Sequence, residues 1–508
     1  MRSKTSVLNI LTTFSFDAVT ILSGLILPRL FISNYGSDAY GITTSITQFL
    51  GYLTLLQSGV GGVARAAMYK PLATGDFTKL SEIYHSTTSF FRKIARITVI
   101  YTVILIIGFR ISSVQFSFCY TTSMVVIVAF GSFLQYYFGI ANQILLFSDQ
   151  KSYVYSIVDI FCIFFNVIIT VIAVRSGASI HTAKLLGVLV FSVKPVALHI
   201  YVKKRYRIDK KQGNETSLLS QRWDAFGQTV AYFVHKNIDV FLITFFIGYS
   251  NVSVYSIYAF INMGLTTFVK AISTAIQAAF GDMIAKKETQ TININFRAYL
   301  TLTHILSSVL FATAFASTLP FIRIYTRSFS DAAQYLKPAF AVTILIAEYF
   351  FCLRLPYHTI IISAGHYRQT RIGAYVEASI NVLVSLVLIK GLGLLGVAIG
   401  TLAAMLFRTV SYVNYVSKNL VKVPALLFVK HMYSNISSFL VALPIYTLSF
   451  SWSPTGYGQW TVFAFSALII ISVSSFTVNY LVFKSDILYI FDLLKRIIPN
   501  RFFPKQHT

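Results

Sequence analysis

The sequence predicts an all-α polytopic membrane protein of about 14 transmembrane helices, built as two pseudo-symmetric six-helix lobes followed by two further helices. Three observations carry this. Of 508 residues, 56% are hydrophobic and only 12% are charged, against about 25% charged in soluble domains. Apolar stretches of about 20 residues, enough to cross roughly 30 Å of hydrocarbon, recur along the whole length; barrel strands would need short alternating segments instead. Finally, sequence matches recur at a nearly constant offset between the two halves.

Taken in order, the candidate spans are 7–32, 40–69, 94–112, 117–147, 153–174, 178–202, 225–248, 252–284, 297–322, 338–363, 372–389, 393–417, 432–452 and 458–483. The start, "MRSKTSVLNILTTFSFDAVTILSGLILPRLF", is basic, but its apolar run is long and interrupted by Asp17. With no small-residue cleavage site it reads as a retained first span rather than a signal peptide. The 117–147 region fits either one long kinked helix or a helix plus an interfacial turn. Residues 1–202 form an N-lobe of spans one to six, and 203–222 a basic cytoplasmic linker. Residues 223–420 form a C-lobe of spans seven to twelve, and 421–483 hold spans thirteen and fourteen. Residues 484–508 form a cytoplasmic tail, whose "SDILYIFDLLKRIIPNRFF" has the spacing of an interfacial amphipathic helix.

Orientation follows from charge. The net charge is +25, which on a soluble chain would point to nucleic acid. Here the basic residues gather in alternate loops, such as "FFRKIAR", "KKRYRIDKK" and "HYRQTR". About two thirds of them fall on one side when both termini are cytoplasmic. Cys119, Cys162 and Cys352 all lie in apolar segments without metal-like spacing, so neither a disulfide framework nor a metal site is expected.

The repeat is parallel. "AYGITTSITQF" at 39–49 resembles "VYSIYAFINMG" at 254–264, 215 residues later. Asn166-Val167 matches Asn381-Val382 at the same offset, and "LLGV" at 185–188 recurs at 394–397. Parallel repeats are related by an axis along the membrane normal and place the substrate site near the midplane between them.

Polar residues mark the faces that lipid does not touch. Asn262, Thr266, Lys270, Thr274 and Gln277 on span eight are spaced by three and four, hence on one helical face. Span seven carries Gln228, Tyr232, His235 or Lys236, and Asp239. Span one carries Thr13, Asp17, Thr20 and Gly24, and span two carries Thr44, Gln48, Tyr52, Ser58 and Arg65. Such faces turn to protein or water, and the four spans are expected to line a shared hydrated cavity.

Within spans the basic candidates are Arg65, Lys194, Lys236, Lys270, Arg354 and Arg408, and the acidic ones Asp17, Asp159, Asp239, Glu348 and Glu377. Each costs about 2.5–3.5 kcal/mol at the bilayer centre on insertion scales, so pairing or hydration must offset most of that. Bases at depth that are not all neutralised suit phosphate. Lys270 is the leading candidate: it sits mid-span on the stripe with no acid at i±3 or i±4. Lys236 and Asp239, spaced i, i+3, either neutralise each other or face the cavity. Arg65, Lys194 and Arg408 lie toward span ends, where long side chains snorkel. Glu348 and Arg354, six apart, fall on different faces. His235 reads as a buried hydrogen-bonded histidine or a proton relay.

Enzyme motifs are missing. Gly391-Leu-Gly-Leu-Leu-Gly396 matches a dinucleotide fingerprint but joins two membrane spans, not a strand and a helix. No P-loop, zinc-protease or nucleophile-elbow pattern appears, and the outer loops are too short for a glycan polymerase site.

Three stretches carry a family resemblance: "LPRLFISNYGSDAYGITTSITQFLGYLTLLQSGVGGVARAAMY", "KNIDVFLITFFIGYSNVSVYSIYAFI" and "GLGLLGVAIGTLAAMLFR". They resemble the polysaccharide transporters of the multidrug/oligosaccharidyl-lipid/polysaccharide (MOP) flippase superfamily, over spans one to twelve. The resemblance implies a V-shaped pair of lobes rocking between inward-open and outward-open states. It implies an undecaprenyl-diphosphate-linked oligosaccharide moved from the inner to the outer leaflet of the bacterial cytoplasmic membrane, for capsule, O-antigen or exopolysaccharide. Polymerase and other polysaccharide-assembly proteins are then expected partners, with membrane lipids and no nucleic acid. Lipid II flippases of this superfamily hold the lipid tail on their last two spans, which suits the uncharged 432–483 region. They carry basic residues where span one here has Asp17, which argues for another lipid-linked glycan.

On this reading Lys270, helped by Lys236, Arg65 and Arg354, holds the diphosphate. Asn262, Thr266, Thr274, Gln277, Gln48 and Tyr232 line the cavity. Asp17, Asp239, Glu348, Glu377 and His235 are candidates for proton or sodium coupling, with no other cofactor. The alternatives are a cation-coupled drug exporter on the same fold, which would favour a cavity of carboxylates, and a membrane glycan polymerase.

Overall fold

The computed structural model of the chain describes residues 2–57, 60–112, 115–208 and 226–497. Residues 209–222 of the expected linker and 498–508 of the expected tail lie outside them. Among the described residues there are helices and turns but no strand. Twelve helices are long and apolar enough to cross a membrane. The other two expected spans are present in a different form. The second is broken into three pieces, and the seventh is helical over Phe226–Phe246, with Asn237–Phe246 an apolar stretch among the described residues.

The chain divides into two compact units, Met1–Phe260 and Ile261–Thr508. The first opens with α1 (Arg2–Tyr35), which carries Pro28 inside it. Gly36, at φ 84°, then turns the chain into α2 (Ser37–Gly51); this left-handed conformation is cheap only for glycine. The short α3 (Thr54–Gln57) and α4 (Val60–Thr74) complete the broken second span. Next, α5 (Phe77–Ser112) has 36 residues, about 54 Å at 1.5 Å per residue. That exceeds the hydrocarbon thickness by about 24 Å. When the exposed apolar face from Ile97 to Ile111 occupies the lipid, the charged half from Lys79 to Arg96 extends beyond it.

Residues 117–148 form one long helix with a flaw. Ser117 caps α6 (Phe118–Leu134) by accepting from the Tyr120 amide, a π-turn runs from Gln135 to Gly139, and α7 (Ile140–Ser148) continues. Then come α8 (Ser152–Arg175), α9 (Ile180–Arg205), α10 (Phe226–Phe246) and the first part of α11 (Tyr249–Ala285). The core of this unit is packed from α1, α2 and α4 to α9, around Ile42, Met68, Leu80, Phe91 and Leu145.

The second unit holds the rest of α11, then α12 (Thr289–Tyr325), α13 (Pro338–Leu353), α14 (Leu355–Ser363), α15 (Tyr367–Leu392) and α16 (Leu394–Asn419). It ends with α17 (Leu426–Ser451), α18 (Tyr457–Val482) and α19 (Lys484–Ile497). Helix α12 is the centre: α13, α14, α17, α18 and α19 all pack on it. Its Arg323 reaches the end of α17, donating to the carbonyls of Trp452 at 2.7 Å, Ser449 and Phe450. A basic side chain on terminal carbonyls satisfies groups that the helix itself leaves open.

One joint occurs in each unit. The Thr170 hydroxyl donates to Asn166 on α8, and that pair meets Gly187 of α9, where a Cβ would strike Asn166. The Ser385 hydroxyl donates to Asn381 on α15, and that pair meets Gly400 of α16, where a Cβ would strike Ser385 and the Asn381 carbonyl. Small residues let helix backbones approach closely in a membrane, with polar side chains bonded at the contact.

Candidate functional site

The tenth span is one helix broken in two. Pro356 has no N–H with which to continue the ladder, and the chain turns at Arg354 between α13 and α14. The break puts Arg354 inside the second unit, only 5% exposed. Its Nη1 donates to Glu377 Oε1 of α15 at 2.6 Å. The other carboxylate oxygen lies 3.3 Å from Arg408 Nε of α16. Arg408 is further held by the Thr370 carbonyl at 3.1 Å and the Tyr412 hydroxyl at 2.9 Å. Two guanidiniums therefore share one buried carboxylate, with Glu348 within electrostatic range of Arg354.

Phe351, one turn before the break, bears two cations. Arg354 Cζ is 4.9 Å and Lys270 Nζ 4.8 Å from its ring centroid. Lys270 is half-buried on α11. The cluster thus holds three bases, Lys270, Arg354 and Arg408, and two acids, Glu348 and Glu377. An aromatic face stabilises a cation that has lost water. Around it on α11, Asn262 and Thr266 are buried, Gln277 is half-buried and Thr274 is exposed. The Thr274 hydroxyl donates to the Lys270 carbonyl, and the Gln277 carbonyl accepts from Ser363.

In the first unit the polar faces of the second and seventh spans bond to each other. Gln48 donates to the Asn237 side chain, the Tyr52 hydroxyl to the Asn237 carbonyl, and Ser45 and Thr244 share a hydrogen bond of 2.8 Å. Asp239 is buried and accepts from the Tyr255 hydroxyl at 2.9 Å. Asp17 is half-buried on α1. Arg65 lies 5.1 Å over the Phe147 ring. The side chains of Tyr232, His235 and Lys236 lie outside the described residues.

Several expectations change. Lys194 and Arg408 do not snorkel. Both are buried, and Lys194 donates to Asp159 at 2.9 Å and to the Tyr155 hydroxyl at 2.7 Å. Arg354 and Glu377, taken from the sequence as a diphosphate ligand and a coupling acid, hold each other in the interior, so neither presents a free face. The aromatic partners of these bases are Phe351 and Tyr412, which no charge or polar stripe in the sequence marks. The Arg408–Tyr412 spacing of i, i+4 was the one readable signal. Lys184 lies 4.3 Å over the Phe31 ring. Among the described residues no three His, Cys, Asp or Glu side chains gather as a metal site.

No protein-family model matches the chain, and no curated protein sequence does. Solved structures do match. A structure described as lipid II flippase MurJ in an inward closed conformation shares 12% identity at a TM-score of 0.70, covering 93% of this chain and 99% of its own. An inward-facing multidrug resistance MATE transporter of the MOP superfamily shares 11% at 0.57, covering 78% and 95%. The MATE multidrug transporter DinF-BH shares 12% at 0.58, covering 82% and 95%. The chain is a multi-pass membrane protein that shares the fold of these solved structures.

Proposed function

We propose that the chain is a flippase that carries a lipid-linked oligosaccharide diphosphate from the inner to the outer leaflet by alternating access. The observation that carries this reading is the basic cluster behind Lys270. A half-buried ammonium sits on the polar stripe of α11 against the Phe351 ring, which Arg354 also faces, with Arg408 sharing the carboxylate that holds Arg354. Arg354, Glu377 and Arg408 act as a fixed base for Lys270, not as ligands. A diphosphate accepts charge-assisted hydrogen bonds from such a group and gives them up again, since one lysine holds an anion without the bidentate grip of arginine. No bond is made or broken in the cargo.

Coverage also supports the reading. The structure that matches 93% of the chain is described as a lipid flippase, whereas the multidrug transporters cover 78% and 82%. Against drug export, the buried carboxylates are occupied: Asp159 by Lys194, Glu377 by two arginines, Asp239 by Tyr255. Asp17, half-buried on α1, remains a coupling candidate for a proton or sodium ion.

The test is Lys270→Ala, with Lys270→Arg beside it, in cells whose own copy is deleted. Normal protein levels with export lowered at least about tenfold, and lipid-linked repeat units accumulating on the cytoplasmic face, are expected. Undiminished export by Lys270→Ala removes the residue from the site. Unchanged glycans with altered drug sensitivity in the deletion strain indicate the exporter, and unpolymerised units in the outer leaflet indicate a polymerase.

A further inference from the structure

The first unit holds a cavity of about 450 Å³ that the reading above does not use. Its polar lining comes from three segments. One face of α5 supplies His85, Thr88, Ser89, Arg92 and Arg96, the π-turn supplies Tyr137, and α9 supplies His199. The steps from residue 85 through 88, 89, 92 and 96 keep the α5 groups on one stripe. None of the residues lining the cavity is acidic.

The walls are fixed. The Tyr84 hydroxyl donates to Asn142 Oδ1 at 2.7 Å, and Arg92 Cζ lies 4.9 Å over the Tyr137 ring. The Phe138 and His199 rings meet edge to face at 6.1 Å, with Lys203 within electrostatic range of His199. The π-turn has the effect of presenting both Tyr137 and Phe138 here; such turns recur at functional sites. Arg92 and Arg96 are exposed at the mouth, and the hydroxyls of Thr88 and Ser89 are half-buried behind them.

We propose that this cavity binds a phosphate group, at a site separate from Lys270. Two guanidiniums one turn apart match phosphate oxygens in pairs, the Ser89 hydroxyl adds a donor while that of Thr88 is engaged with the Tyr84 carbonyl, and no lining residue is a carboxylate. The volume exceeds that of a bare ion and admits the substituent of a phosphate ester. Position favours a lipid as the source. Arg96 immediately precedes the apolar face of α5 that begins at Ile97, so the mouth opens where headgroups lie. A soluble diphosphate presents the same chemistry.

The test uses the full chain in detergent, titrated separately with phosphatidylglycerol, phosphatidylcholine and inorganic pyrophosphate, and read by native mass spectrometry. The double variant Arg92→Gln/Arg96→Gln is compared with Lys418→Gln/Lys422→Gln, which removes the same charge from exposed positions in the second unit. Binding of phosphatidylglycerol or pyrophosphate weakened at least about tenfold in the first variant only supports the site, and whichever ligand responds names its source. Equal losses in both variants, or none in the first, overturn it. A third variant, Tyr137→Leu, leaves the charge intact and is expected to weaken the same ligand by removing the ring under Arg92.

Discussion

At the scale of single residues, the buried bases are distinguished by what they touch. Arg354 and Arg408 depend on one carboxylate. Glu377→Gln would leave two guanidiniums in the interior with a neutral partner, a loss of about 3–5 kcal/mol for a broken buried pair. A clear drop in the thermal unfolding midpoint in detergent is the expected readout; a midpoint equal to wild type would mean the pair carries no stability. Lys194 and Asp159 form the corresponding contact between α8 and α9. None of these partners was legible from local spacing. Arg354 and Glu377 are 23 positions apart and Lys194 and Asp159 are 35 apart, and helical periodicity reports only neighbours at three and four. Lys270 was legible, because its isolation from local acids and its place on a polar stripe are both properties of one helix.

At the scale of elements, close approach between helices rests on glycine. Gly400→Ala would drive a methyl group into Ser385 and the Asn381 carbonyl, backbone that cannot yield. Overpacking of this kind costs about 1–3 kcal/mol. Gly264→Ala on α11 meets nothing within 4 Å and should be neutral or stabilising, since alanine favours helix over glycine by about 1 kcal/mol. Thermal midpoints of the two variants, measured side by side, check the ordering; a reversed order would refute the packing account.

The last three helices follow the same logic with polar groups. The Asn435 amide of α17 donates to the Tyr349 hydroxyl at 2.7 Å and meets His304 Nδ1 at 2.9 Å, and Ser475 of α18 shares a hydrogen bond with Ser308 of α12. Asp486 joins α19 to Arg297. Spans thirteen and fourteen therefore turn a polar seam inward and keep Leu440, Leu448, Phe465 and Leu481 on the outside. The absence of charge between Met432 and Phe483 had concealed that seam, because serine and asparagine do not register as charge.

At the scale of the molecule, the charge asymmetry predicts orientation. Cysteine placed at Lys286 or Lys422 should react with an impermeant thiol reagent only after the membrane is opened, and cysteine at Ser453 should react in intact cells. The opposite pattern would invert the topology. The broken second and tenth spans and the π-turn of the fourth also belong to this scale. Interrupted helices inside a membrane are tolerated where protein or a hydrated space satisfies the freed backbone.

The sequence by itself determined that the chain crosses the membrane many times and where nearly all the crossings fall. Span length, apolar content and loop charge are one-dimensional quantities that hydrocarbon thickness and membrane potential select directly. Only the tertiary structure decided which charges meet, because ion pairing between helices depends on distances that no spacing along the chain encodes. It assigned Arg354, Arg408 and Lys194 to buried pairs, left Lys270 at the edge of a basic cluster, and opened a basic cavity beside α5.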